Sequence, residues 1–485
     1  MNNTGAKISP LAEVSDAISK LRGHGKKVVQ CHGVFDLMHP GHIRHLEAAR
    51  CQGDVLVVTV TPDQYVDKGP GRPVFNERLR AESLAALRCV DLVAINQWPT
   101  AVETIRLLRP DVYVKGNEYS RQENDVTGKI YEEERAVLEV GGRIYFTDDI
   151  TFSSSQLINA NLSLFPSETE EWLKSFRQRH SPDDVLGYLK KASDLKVLVV
   201  GEAIIDEYVF CDGLGKSTKD PILAFLYRWT ESYGGGSIAV ANHLAGFCDN
   251  VGLVTLLGET ERREDFVRGV LRPNVNAHLL TQQNAPTIQK RRFVDTHTNS
   301  RMFELYMMSD KPLDPGDEAA TLEVLSEIVR DYDVVLVTDY GHGMLTPKMI
   351  ESINNKARFL AVNTQVNAGN RGLNTISRYS RADYVCLAAL EVALEMRMTN
   401  ASKRDLVLEL SKRIECPRFT VTQGKEGSLH YDRQSGITEI PALATHITDR
   451  VGAGDAFLAV TSLLVAQGTP WDIVGFVGNL AGARM

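Results

Sequence analysis

The sequence predicts a two-domain α/β protein, and three observations carry that prediction. Short β-branched apolar runs alternate with helical stretches in two successive sets. Each set holds its own glycine-containing turn that leads into a helix. Within the second set, two segments alternate polar and apolar residues as half-exposed antiparallel strands do. A chain of 485 residues has room for two or three domains.

The first set of runs covers 27–31, 54–60, 90–96, 112–115 and 143–147, with helical stretches at 42–51, 76–88 and 101–109. Near-continuous apolar strands fit a parallel sheet covered on both faces. This set defines a first domain over 1–160. Residues 161–195 are charged, helical in pattern and interrupted by His180-Ser181-Pro182, so they read as a helical linker or edge element. The second set covers 196–200, 251–257, 333–338, 358–362, 382–387 and 419–422, within a domain over 196–485. The alternating segments 222–232 and 287–305 predict a small β lid over that body.

Charge narrows the function. The 54 basic and 62 acidic residues give a net charge of -8, which argues against a broad nucleic-acid or membrane surface. Phosphates would then be gripped by helix N-termini and a few placed cations. Seven scattered cysteines without a Cys-x-x-Cys pair read as reduced thiols of a cytoplasmic protein. The N-terminus lacks an apolar signal core, and no apolar run is long enough to span a bilayer.

The first turn is Gly33-Val34-Phe35-Asp36-Leu37-Met38-His39-Pro40-Gly41-His42. Gly33 lets the backbone approach a ligand, Pro40 suits a first helical turn, and the helix start presents unpaired N–H groups to an anion. His39 and His42, three apart, can address one phosphate, as nucleotidyl transfer requires. A zinc site from His39, His42 and His45 lacks a completing ligand nearby. The stretch resembles the His-x-Gly-His signature of the cytidylyltransferase-like nucleotidyltransferases, whose fold is Rossmann-like. By that resemblance Gly33, Phe35, Lys68 and the Ser153-Ser154-Ser155 helix start contact the nucleotide. Lys115, in Val114-Lys115-Gly116-Asn117-Glu118-Tyr119, joins His39 and His42 as a catalytic residue.

The second turn is Gly452-Ala453-Gly454-Asp455, opening the apolar stretch 456–465. Small residues free N–H groups for an anion hole, and Asp455 can take the acceptor hydroxyl's proton. With Asp449-Arg450 ahead of it, the segment resembles the Asp-Thr-x-Gly-Ala-Gly-Asp motif of ribokinase-like carbohydrate kinases. The resemblance implies a nucleotide site at Thr422, Gly424, Gly427, Gly452, Ala453, Gly454 and Asn479, and substrate contacts at Asp206, Gly234 and Gly235. It also implies magnesium at Glu391. Segment 200–206 reads as the first strand, ending in Asp206, and 478–481 as the start of the adenine-side helix. Three features depart from the family. Ile238 and Ala239 stand near its sugar-site asparagine, with Asn242 read as a helix residue. Ala388-Ala389-Leu390-Glu391 keeps only the glutamate of Asn-x-x-Glu. Met485 follows Asp455 by only 30 residues, as a truncated chain would. Gly215-Lys216-Ser217 mimics the end of a P-loop, but Phe210 stands where its first glycine belongs.

Together the halves resemble the bifunctional heptose-phosphate kinase/heptose-1-phosphate nucleotidyltransferases that make ADP-heptose, in reversed domain order. The resemblance implies two consecutive transfers, using Mg2+ with ATP as a substrate and CTP as the other candidate at the transferase site. It also implies a small sugar phosphate and an NTP as partners, and a lid that pairs with a second copy would make a homodimer. The alternatives are a single-activity cytidylyltransferase beside a ligand-binding kinase-like domain, and a non-enzymatic nucleotide or sugar sensor.

Overall fold

The strands of the first unit, Met1–Pro166, follow from runs too apolar to leave either face wet. In the computed structural model, which describes residues 7–67, 72–116, 129–147, 165–398, 401–444 and 452–483, they are β1 Val28–Gly33, β2 Val55–Val60, β3 Leu92–Ile95, β4 Val112–Gly116 and β5 Arg143–Thr147. All pair in parallel in the order β3-β2-β1-β4-β5. Every residue of β2 is buried, as a sheet covered on both faces demands. The order reverses between β1 and β4, which opens a crevice at the carboxyl ends of those two strands. The first glycine-containing turn leaves β1 at that crevice. Helices Pro40–Arg50, Glu77–Ala85 and Val102–Leu108 occupy the expected stretches, and Leu11–Gly23 and Lys129–Glu139 are additional.

The second unit, Ser167–Met485, is built on a nine-stranded sheet. Its strands are β6 Lys196–Gly201, β9 Asn250–Thr260, β10 Val275–Pro286, β13 Val334–Asp339, β14 Leu360–Thr364, β15 Tyr384–Ala388, β16 Arg418–Thr422, β17 Ser428–Asp432 and β18 Gly436–Ile440. The order is β10-β9-β6-β13-β14-β15-β16-β17-β18, parallel up to β16 and antiparallel beyond. A second, four-stranded sheet holds β7 Ala203–Lys216, β8 Leu223–Gly236, β11 Gln289–Asp295 and β12 Arg301–Met307, in the order β12-β11-β7-β8. This is the expected lid, with two corrections. Segment 287–305 is two strands, because Asp295 turns the chain by accepting from His297 N at 3.1 Å and Thr298 N at 2.8 Å. Segment 200–206 is not one strand either. The chain leaves the body sheet after Gly201, where a Cβ would lie 2.2 Å from the Thr338 carbonyl, and enters the lid at Ala203.

Glu202, between the two sheets, is buried and accepts from the backbone N–H of Tyr340 at 2.9 Å, His342 at 3.1 Å and Met344 at 3.3 Å. Burial, and then the Asp339 charge, push its carboxyl up to about 7. Stretch 161–195 contains helices Ser167–Arg179 and Pro182–Lys191, the second started by a Ser181/Asp184 capping box. Their Phe176 and Val185 share a core with Val199, Leu463 and Ile473, so they pack as part of the second unit. Gly215-Lys216-Ser217 closes β7 into a hairpin, with Ser217 N bonded to Ile222 O at 2.9 Å. No helix among the described residues is long and apolar enough to cross a membrane.

Candidate active sites

The turn after β1 is held in an unusual backbone. Phe35 and Leu37 both have positive φ, 51° and 50°, a conformation that non-glycine residues adopt only under constraint. The constraint is visible. Buried Asp36 accepts from Val74 N at 2.9 Å and Phe75 N at 3.2 Å and pairs with Arg72 at 3.3 Å. Buried Arg80 donates to Val34 O at 2.5 Å and Thr61 O at 2.8 Å, joining the loops that follow β1 and β2. The ring of Phe35 is a core side chain that presents its edge to His42, with centroids 5.6 Å apart. Its place is to back the imidazole rather than to line an open groove. A Cβ at Gly33 would come within 3.2 Å of that ring.

His39 and His42 lie together, their ring centroids 4.0 Å apart at the start of helix Pro40–Arg50. His39 is itself the N-cap, because its Nδ1 accepts from Gly41 N at 3.1 Å. That bond fixes Nδ1 as an acceptor and the orientation of the ring. Lys115 approaches from β4, on the other side of the switch point. Its Nζ pairs with Glu133 at 2.7 Å, and Glu133 also accepts from Tyr113 OH at 3.1 Å. Glu133 is 4% exposed and was not foreseen, because it sits in an acidic run, 132–134, that looks like a solvated helix face. His45 bonds Thr147 Oγ1 at 2.9 Å, so it is turned to β5. Lys68, Ser153, Ser154, Ser155 and Glu118 lie outside the described residues.

The second unit brings more of its expected residues together. Gly452, with φ 82°, caps helix Ala453–Ala466, and the first turn holds Gly454 and Asp455. One cavity of about 730 Å³ is lined by Thr422, Gly424, Gly427 and Asn479 on one wall, by Gly452, Ala453, Gly454 and Asp455 at its centre, and by Asp206 on the lid. A second cavity, of about 900 Å³, is lined by Gly234, Gly235, Tyr208 and Tyr233 and shares Asp206, Gly452 and Asp455 with the first. Asp455 therefore stands where two cavities meet. Gly235 leaves room for Asp206, since a Cβ would lie 2.0 Å from Asp206 Oδ2 and would displace that carboxylate. Gly427, at φ 94°, has the Ile440 carbonyl 2.1 Å from where a Cβ would be.

Asp455 accepts a hydrogen bond from Tyr340 OH at 2.9 Å. Its carboxyl is pushed up to about 6, mainly by burial; the Tyr340 bond opposes that, the Asp206 charge adds to it, and Lys290 opposes it. A base poised near neutrality suits proton abstraction from a hydroxyl. Asp206 lies within the lid strand β7, where Arg292 donates to it at 2.6 Å, and Arg292 also pairs with Glu304 at 3.0 Å. Lys290 and Arg292 line the first cavity. These two and Tyr340 were missed. The alternation of 287–305 carried a signal for the basic pair, since residues two apart on a strand share a face.

Two other expectations change, at Glu391 and Asn479, while Asn242 does lie in a helix, Ser237–Leu244. Glu391 is not an open metal ligand: its oxygens accept from Ala388 N at 2.6 Å and Val366 N at 3.3 Å, capping helix Ala389–Met396. Burial, with the Asp455 charge adding to it, pushes this carboxyl up to about 7. Asn242 donates to Val270 O at 2.8 Å and accepts from Arg272 N at 2.9 Å, holding a loop at the second cavity's edge. Asn479 lies near the end of helix Trp471–Ala483, not at a helix start, and donates to Ser428 Oγ at 2.8 Å. Among the described residues, no group of three or more His, Cys, Asp or Glu is placed to hold a metal.

Comparison with known proteins matches two family models to this chain. One is described as cytidylyltransferase-like, over residues 31–161, and the other as pfkB family carbohydrate kinase, over 194–485. Curated relatives named bifunctional protein HldE match in part. The Gluconobacter oxydans protein is 38% identical over 169 residues, 34% of each chain. The Desulfatibacillum aliphaticivorans protein is 41% identical over 155 residues, 32% of this chain and 30% of the relative. The chain thus spans about a third of the length of the curated relatives it matches. Among solved structures, the tetrameric inhibited form of Escherichia coli phosphofructokinase-2 covers 60% of this chain and 93% of its own, at 15% identity and TM-score 0.49. An Arabidopsis thaliana ribokinase complexed with ribose and ATP covers 60% and 92%, at 16% identity and TM-score 0.45.

Proposed function

The chain belongs to the pfkB family of carbohydrate kinases, and from that premise we propose a bifunctional enzyme of nucleotide-sugar synthesis. The second unit phosphorylates a sugar or sugar phosphate with ATP, and the first joins a sugar 1-phosphate to an NTP, ATP or CTP, releasing pyrophosphate. The observation that carries the kinase half is Asp455 at the meeting of two cavities, one with the nucleotide-side residues and one under the lid. Asp455 takes the acceptor's proton as the new O–P bond forms. The bond from the γ-phosphorus to the bridging oxygen breaks, and ADP leaves with its electron pair. The helix start at 452–455 and its free N–H groups receive the charge on the moving group.

In the first unit the sugar 1-phosphate oxygen attacks the NTP's α-phosphorus, and the bond to the bridging oxygen breaks to release pyrophosphate. His39, His42 and the helix start hold the charge that builds there; Lys115 adds a cation whose position Glu133 fixes. No protein nucleophile is needed.

Magnesium carried on the triphosphate neutralises phosphate charge in such transfers. The donors fit a hydrated ion better than a protein cage: Glu391 and Asp455 are buried carboxylates whose charge the other or the fold resists. The lid's exposed Leu223, Tyr227, Trp229 and Phe303 support a homodimer.

The test is mass spectrometry of products formed from mixed NTPs, Mg2+ and a sugar-phosphate library that includes heptose phosphates and heptose 1-phosphate. A nucleoside diphosphate sugar, with a phosphorylated intermediate lost in Asp455→Asn, is the expected result. Intermediate formation that survives Asp455→Asn would overturn the kinase half.

A further inference from the structure

Lys290 has a surrounding that its neighbours do not explain. It is 6% exposed, in register with Asp206 of β7 and with Tyr306 of β12, and it lines the cavity that contains Asp455. Its partner in sequence and on the same face, Arg292, is neutralised by Asp206 and Glu304. Lys290 is held less directly: its Nζ makes no hydrogen bond or ion pair among the described residues, the charges of Asp206, Glu304 and Glu202 act on it only from a distance, and its close neighbour is the Tyr306 ring, with the centroid at 5.2 Å. An ammonium on a mostly buried side chain, with no direct partner in the protein, has three donors to offer an acceptor in the cavity. Burial pulls the Lys290 ammonium below the ordinary lysine range. The neighbouring His342 supplies no counter-charge. Its ring nitrogens are buried without partners, and burial, then Lys290, drives its basicity down to about 4. Its donors lack a direct partner at the wall of the cavity that Asp455 also lines, where an anion could meet them.

We propose that Lys290 is a catalytic residue of the kinase half, its ammonium contacting the phosphoryl group during transfer from nucleotide to acceptor. The assignment rests on the kinase reading given above. Asp455 and Lys290 then divide the work: the carboxylate receives the proton, and the ammonium balances the negative charge as the bridging bond breaks and the acceptor bond forms. A lysine suits this task because it is a compact point charge that need not fork. The same ammonium also suits a phosphate already on the acceptor, and kinetics separates the two sources.

The experiment compares wild type with Lys290→Met and Lys290→Arg, using ATP, Mg2+ and the acceptor that the product screen identifies in an ADP-release assay. Calorimetric titration with ADP, with and without aluminium fluoride as a phosphoryl mimic, accompanies it. Lys290→Met should lose roughly 100-fold in kcat. The KM values should move less than about threefold, and Lys290→Arg should recover part of the loss. ADP alone should bind all three equally, which also reports folding, while the extra affinity from aluminium fluoride disappears in Lys290→Met. An unchanged kcat, or a raised acceptor KM at full kcat, overturns the assignment, the latter by placing the anion on the acceptor. Wild type that neither turns over nor gains affinity from aluminium fluoride overturns the kinase reading and this assignment together. Wild type that does both, alongside an equally competent Lys290→Met, overturns this assignment alone.

Discussion

The two cradles differ in how completely their charges are paired. Around the turn after β1, Asp36, Arg72 and Arg80 lock the backbone, and Lys115 is held by Glu133. Around Asp455, burial raises two carboxyls toward neutrality and leaves Lys290 unpaired. The difference matches the two chemistries. Nucleotidyl transfer from a phosphate anion needs no proton taken from its nucleophile, so rigid, satisfied groups suffice. Phosphorylation of a hydroxyl needs a base whose charge is easily changed, and a satisfied carboxylate would be a poor one.

The strongest way to break this contrast is Asp455→Asn. Kinase turnover should fall about 1,000-fold, while pyrophosphate release from NTP and sugar 1-phosphate stays within about twofold. Loss of both activities in ADP-release and pyrophosphate-release assays would mean that the two cradles do not act separately. The mirror experiment is His39→Ala or His42→Ala. Pyrophosphate release should fall roughly 100- to 1,000-fold, as for the loss of one transition-state donor, with the kinase intact.

Glu133→Gln sharpens the contrast at the level of stability. It leaves the mostly buried Lys115 ammonium without its carboxylate, and should cost the first unit about 3 kcal/mol, read as a lowered first transition in scanning calorimetry. An unmoved transition would show that the pair is not part of what holds the early site rigid.

The smallest effect concerns pH. Asp455 must be ionised to accept a proton, so kinase kcat/KM should fall as pH drops through about 6. Tyr340→Phe removes a hydrogen bond that favours the ionised form, so the acid limb should move to higher pH by about one unit, a shift of the size expected for one bond to a charged group. A limb that stays put would show that Tyr340 does not tune the base.

Much of the architecture was legible because burial on both faces writes itself as unbroken β-branched runs. The strands read at 54–60 and 333–338 appear as Val55–Val60 and Val334–Asp339. Helix Leu11–Gly23 was not read, since its apolar stripe is thin: only Leu11, Val14 and Ile18 are buried. Strand β7 was hidden because the switch between sheets occurs at Glu202, whose amide partners lie 138 to 142 residues away. The helix-opening turns around His39 and Asp455 were legible as local motifs. Glu133 and Tyr340 were not, because what distinguishes them is a partner supplied by a distant strand or helix, and the alternation of 287–305 could place Lys290 and Arg292 on one face without showing which cavity that face lines.

Glu202 has one more consequence. It pins the loop that carries Tyr340 at the very residue where the chain crosses into the lid, so acceptor choice and base strength share a single anchor. An engineer seeking a different acceptor should leave Gly201, Glu202 and Ala203 alone and vary the lid further out, at Tyr233, which lines the second cavity away from that anchor.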